Sequence, residues 1–192
     1  MHRQKEVAGE IIERLKKMKL SIRIMHACGT HQHTIVKHGL EPMLNSAGVE
    51  IIQGPGCPVC ITPQREIEES LILARNGITI ATYGDMMRVP GRRKSLMELR
   101  GEGCDVRVVY SIEDAAAIAR ENEKEVVFLA IGFETTAPGT ASTILNLKLE
   151  NFSILNCYRH FPPALKALIS MGEVKLNGLI DPGHVSTITG LK

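Results

Sequence analysis

Seven short runs rich in β-branched and apolar residues punctuate the chain: IRIMH (22–26), VEIIQ (49–53), ITIAT (78–82), VRVVY (106–110), VVFLAI (126–131), FSIL (152–155) and GLI (178–180). Segments of helical character separate them. Parallel strands cannot be joined by a tight hairpin; they need a crossover of about a dozen residues or more, usually a helix. Strands alternating with helices at this spacing therefore predict an α/β fold of Rossmann-like parallel sheets with right-handed crossovers.

Between the strands, 63–75 is the clearest helix. Thr62 is positioned to cap it, Pro63 to open it, Glu66, Glu68 and Glu69 suit its positive end, and Asn76-Gly77 stops it. Further helices fit 111–121, 138–149 and 162–171, and Ala8, Ile11, Ile12, Leu15 and Met18 repeat at helical spacing near the N-terminus. The charged stretch RENEKE (120–125) predicts a seam between a first α/β unit over 1–122 and a partial second unit, truncated, over 123–192. A short internal echo agrees with two related units: DPGHVSTITG after one strand resembles GPGCPVCITP after another, and AIGFETTAP resembles MHACGTHQH.

Bulk properties exclude several classes. A formal charge of +2 and 4% aromatic residues give no footprint for nucleic acid. No apolar run approaches the roughly 18–20 residues of a membrane span, and the N-terminal segment lacks a signal-peptide core. Five cysteines, an odd number, fit a reducing cytoplasm better than a disulfide framework. GxGxxG, GxxxxGK and GxSxG are all absent, which removes the glycine chemistry of dinucleotide and P-loop sites and the serine-hydrolase elbow.

The unusual polar residues fall just after predicted strands: CGTHQH (28–33), GPGCPVC (54–60), YGDMMRVPG (83–91), GFETTAPG (132–139) and DPGH (181–184). The carboxyl ends of parallel strands are where open α/β sheets bind ligands. Cys28 and His31 would share a strand-to-helix loop suited to nucleophilic or metal-ligand chemistry. Gly54 and Gly56 permit close backbone approach, and Pro55 and Pro58 stiffen a loop that holds Cys57 and Cys60 at CxxC spacing. Such a pair suits a reversible disulfide, half of a tetrahedral metal site, or an inert turn. Cys28, His31, Cys57 and Cys60 together would make a Cys3His zinc set, and the CxxC pair alone a general thiol-disulfide oxidoreductase. Asp85 can cap a turn, and Arg88 can pair with it or with Glu134. His184 is expected in a loop, His33 and His38 in solvent, and Cys104, Cys157, Met86 and Met87 in structural positions.

Taken in order, HACGTHQH, QGPGCPVCITP, TYGDMMRVPG, VVFLAIGFETTAP, NFSILNCYRHFPPAL and DPGHVSTITG strongly resemble the HypD family of nickel–iron hydrogenase maturation, from about residue 20 onward. The resemblance implies a scaffold for assembly and transfer of an Fe(CN)2CO unit. It would work with a HypC-like small chaperone, a HypE-like cyanide donor and, indirectly, the hydrogenase large subunit. By motif, Cys28 would ligate the iron with His31 beside it. Cys57 and Cys60 would be a redox-active dithiol exchanging electrons with a 4Fe-4S cluster, and Asp85, Glu134 and His184 would line the cleft. Members of that family continue past the equivalent of Lys192 and carry their cluster cysteines there. None of the five cysteines here matches those ligands, so no 4Fe-4S cluster is expected on these residues, and low stability is expected without the remainder.

Overall fold

The computed structural model describes residues 2–190, with side chains from Glu6 onward. Its strands coincide with the predicted runs to within a few residues: β1 Ile22–His26, β2 Val49–Gln53, β3 Thr79–Thr82, β4 Val106–Val108, β5 Val126–Gly132, β6 Phe152–Tyr158 and β7 Gly178–Ile180. The helices are α1 His2–Lys17, α2 Gly29–Lys37, α3 Leu40–Ser46, α4 Gln64–Arg75, α5 Leu96–Gly101, α6 Ile112–Arg120, α7 Ala137–Asn146, α8 Phe161–Ser170 and α9 Gly183–Thr189. Each ladder is parallel, and the strands form two sheets, β2-β1-β7 and β4-β3-β5-β6. The α/β architecture with two Rossmann-like units is thus as expected.

The division between the units is not at 122/123. One unit comprises Met1–Cys57 with Phe161–Lys192, and the other is the continuous Pro58–His160. Two pairings explain the difference. β5 joins β3 in register from Thr79↔Val126, so residues after 123 complete the sheet begun at 79. β7 returns to β1, pairing His26 with Ile180. RENEKE is a braced turn, not a linker: the Asn151 side-chain amide donates to the carbonyls of Ala119, Asn122 and Lys124, and Asn122 donates to the Thr79 hydroxyl. The echoed segments have equivalent positions in a different sense. GPGC and DPGH follow the two strands flanking β1, while CGTHQH and GFETTAP each follow a central strand, β1 and β5.

In the continuous unit the sheet is covered on both faces. β5 is buried along its length, as a central parallel strand should be. Its alternation is visible in the packing. Val127, Leu129 and Ile131 meet Ile67, Leu71 and Ala74 of α4 and Leu96 and Leu99 of α5. Val126, Phe128 and Ala130 meet Ile112, Ala115 and Ala119 of α6. Met86 and Met87 belong to the first of these clusters, as expected of structural methionines. α5 is too short to show periodicity, but Ser95 and Glu98 close a reciprocal capping box at its start.

The discontinuous unit is built around β1, flanked by β2 and β7. Burial increases along β1 toward its carboxyl end, where Met25 and His26 are enclosed, followed by Ala27. That enclosed strand end is where its loops converge.

Candidate functional site

Cys28 is the N-cap of α2, with extended backbone (φ −149°, ψ 128°), and its carbonyl accepts the N–H of Gln32 at 3.2 Å. It is half-buried and reduced, and His31, also half-buried, lies on the first turn of α2. The loop after β2 is pressed against this strand end. Gly54 donates to the His26 carbonyl at 2.7 Å, extending the β1–β2 ladder by one bond. A methyl group on Gly56 would lie 2.4 Å from the carbonyl carbon and oxygen of Ala27 and 2.7 Å from the nitrogen of Cys28. Only a residue without a side chain permits that approach. The glycines of GPGCPVC therefore set Cys57 beside the peptide that carries Cys28, within one unit.

Cys57 and Cys60 are joined as a disulfide. The turn that carries the pair is held from its far side. The Thr62 hydroxyl donates to the Pro58 carbonyl at 2.8 Å, and the Thr62 N–H to Val59. Thr62 was expected to cap α4, but that position belongs to Pro63, and Thr62 closes the CPVC turn. Its hydroxyl finds a carbonyl four residues back, a local bond that competes with capping. Among the described residues no group of three or more His, Cys, Asp or Glu side chains is arranged to hold a metal ion. With Cys57 and Cys60 bonded to each other, the Cys3His zinc set is not assembled.

β7 brings His184 to the carboxyl edge of the same sheet as Cys28. It is exposed on the first turn of α9, in a helix where a loop was expected. His33 and His38 are exposed, as predicted.

The remaining predicted residues belong to the continuous unit. Asp85 is exposed in the 3-10 turn Gly84–Arg88, whose N-cap is Tyr83, so the capping position expected of Asp85 belongs to Tyr83. Among the described residues no ion pair joins Arg88 to Asp85 or to Glu134. The buried methionines within the turn leave its charged residues facing solvent. Glu134 follows β5 and is buried, with Nδ1 of His160 at 3.4 Å from its Oε1. Asp85 and Glu134 thus follow adjacent strands of one sheet, at the same edge.

Two groupings escaped the sequence reading. Arg159, after β6, donates twice from Nη2 to the Glu66 carboxylate at 2.6 Å, tying the first turn of α4 to β6. Beside this pair Cys157 is fully buried, and burial together with Glu66 pushes its thiol up to about 12. The second grouping is His26, enclosed at the end of β1, whose Nε2–H donates to Oε1 of Gln32 at 2.8 Å. Its ring meets that of His31 edge to face, with centroids 5.8 Å apart. An Arg–Glu pair 93 positions apart has no local signature. His26 had one, because a histidine that ends a central apolar strand must find a partner or pay for burial.

Comparison with known proteins bears on this arrangement. The HypD family model, described as the hydrogenase formation hypA family, matches residues 3–192. A candidate hydrogenase expression/formation protein of Methanocaldococcus jannaschii is 52% identical over 188 residues, 96% of this chain and 51% of the relative. Hydrogenase maturation factor HypD of Rhodobacter capsulatus is 42% identical over 88% of this chain and 46% of its own length. The Escherichia coli K12 factor of the same name is 41% identical with the same coverage. The chain spans about half the length of the curated relatives it matches. Among the described residues no helix is long and apolar enough to cross a membrane.

Proposed function

Because the chain belongs to the HypD family, we propose that it serves nickel–iron hydrogenase maturation as part of a cytoplasmic scaffold on which an Fe(CN)2CO unit is assembled and from which it is passed on. The iron unit is cargo. Cys28 supplies its thiolate ligand, with the His31 imidazole alongside. Soft thiolate suits a low-spin iron carrying strong-field ligands. The Cys57–Cys60 pair is the redox partner of this site: two thiols closing to a disulfide release two electrons and two protons, and opening takes them up. His184 stands at the same sheet edge as Cys28, and Asp85 and Glu134 at the carboxyl edge of the other sheet. A HypC-like chaperone and a HypE-like cyanide donor are the partners, and the hydrogenase large subunit is the eventual recipient.

One observation carries this reading. Gly56 lies against the Ala27–Cys28 peptide so closely that no side chain fits, which brings the Cys57 loop beside Cys28 at the carboxyl edge of a parallel sheet. The test is infrared spectroscopy of the anaerobically purified chain, co-produced with its partners and with the remaining length found in its relatives. Bands for bound CO and cyanide are expected in the wild type and lost in Cys28→Ala. Their persistence in a folded Cys28→Ala variant contradicts the ligand assignment.

A further inference from the structure

His26 is fully enclosed, yet among the described residues its Nδ1 has no hydrogen-bond partner, and neither does the buried Nδ1 of His31. An unpaired buried polar atom is a net cost to folding. A leucine or phenylalanine would fill the same strand end without that cost, so packing alone does not account for an imidazole here. What the imidazole does is visible in its contacts. Because Oε1 of Gln32 can only accept, the proton of a neutral His26 ring sits on Nε2 and is used in that bond. The ring edge contact reaches the preceding residue, His31. Gln32 is in turn tied by its backbone N–H to the Cys28 carbonyl. A closed circuit results, running from Cys28 through Gln32 and His26 to His31.

We propose that His26 is a positioning residue for the ligand pair, a strut that fixes where the His31 imidazole stands relative to the Cys28 sulfur. This rests on the reading of Cys28 and His31 as the cargo-holding residues. The strut acts from an immobile base. His26 is the last residue of the central strand, paired in register with Gln53 on one side and Ile180 on the other, and its carbonyl is held by Gly54. The first turn of a short helix, by contrast, is free to fray unless something outside the helix holds it. A buried ring anchored in the sheet and touching two successive residues of that turn supplies the hold. Groups that orient ligands in this way typically change metal affinity by about 10–100-fold when removed.

The test compares His26→Leu, His31→Ala and the double variant with the wild type, under reducing anaerobic conditions. Two readouts are used: the histidine-ring NMR resonances, and titration with cobalt(II) followed by its thiolate charge-transfer absorbance. In folded His26→Leu, the His31 resonance moves to the position of a freely rotating surface histidine such as His33, and cobalt affinity falls about 10–100-fold. The double variant loses no more than His31→Ala alone, since a strut without its load does nothing. If His26→Leu does not fold, His26→Phe, which keeps a ring and removes both nitrogens, is read in its place. An unmoved His31 resonance, or losses that multiply in the double variant, overturns the proposal. The NMR readout needs no metal, so it separates the two readings: persistence of CO and cyanide bands in Cys28→Ala removes the ligand assignment, while an unmoved His31 resonance removes the strut alone.

Discussion

Replacing Gly56 by alanine tests the contact on which the site is built. The new methyl would stand 2.4 Å from the Ala27 carbonyl and 2.7 Å from the Cys28 nitrogen, whereas comfortable carbon contacts begin near ~3.5 Å. One backbone must retreat by roughly 1 Å. Overpacking of this kind costs about 1–3 kcal/mol. Against it stands the restriction of the unfolded chain by alanine, worth about 0.4–1 kcal/mol. The net loss is therefore about 0–2.6 kcal/mol, or up to roughly 10 °C in melting temperature for a chain of this size. Gly29→Ala is the matched control. It adjoins the same cysteine, a methyl there meets nothing within 4 Å, and it falls in the first turn of α2, so it should be neutral or slightly stabilising. Urea unfolding monitored by circular dichroism gives both values. The functional half of the prediction uses a Cys60→Ser background, in which a short bifunctional thiol reagent should bridge Cys28 and Cys57. Adding Gly56→Ala should slow that bridging, and Gly29→Ala should not. Equal stabilities and equal bridging rates for the two alanine variants would refute the reasoning.

Other outcomes follow from the continuous unit. Cys157, enclosed and with its thiol raised to about 12, should resist iodoacetamide at mildly alkaline pH until the chain unfolds, while half-buried Cys28 reacts in the native protein; mass spectrometry of peptides distinguishes them. Labelling of both at one rate in the folded state would contradict this. Asp105 accepts from Arg107 at 2.8 and 3.1 Å and from the Thr79 hydroxyl at 3.0 Å, and the Arg107 bonds hold its carboxyl below the ordinary value. A depressed folded-state value stabilises above the unfolded one, about 3.9, and that contribution fades as pH falls through the folded one. Asp105→Asn should therefore be less stable than wild type at pH 7, with the gap closing in acid. A gap that widens below pH 4 in urea titrations would be the wrong sign.

How much of this was legible beforehand depended on distance along the chain. Strand positions were, because β-branched runs bounded by Gly, Pro and Asn are local signals. β1, β2 and β7 agree with their runs residue for residue. The glycines of GPGCPVC were also legible, since close approach is the main reason to place glycine between prolines and cysteines. Domain membership was not. It depends on which strand a strand pairs with, and the pairing of Ile24 with Gly178 spans most of the chain. A charged stretch such as RENEKE looks like a linker until Asn151, contributed from beyond it, satisfies its carbonyls. The site divides in the same way. Cys28 and His31 share a loop and could be read together, whereas the bond between Glu66 and Arg159 joins residues that no local rule connects. Gln32 lay within a recognised motif but was overlooked, because its role depends on a buried partner six residues earlier.

The insertion of Pro58–His160 within the other unit has a consequence for biosynthesis. The inserted segment is contiguous and can fold as soon as it leaves the ribosome. The strand bearing His26 can pair with its neighbour at 49–53 early, but its other flank stays bare until residues 178–180 emerge. At about 5–20 residues per second, that delay after Cys57 is synthesised is on the order of ten seconds. Throughout it the unpaired flank of β1 is open to holdases and to other strand edges, so a nascent chain is more prone to wrong pairing than one whose β7 has docked.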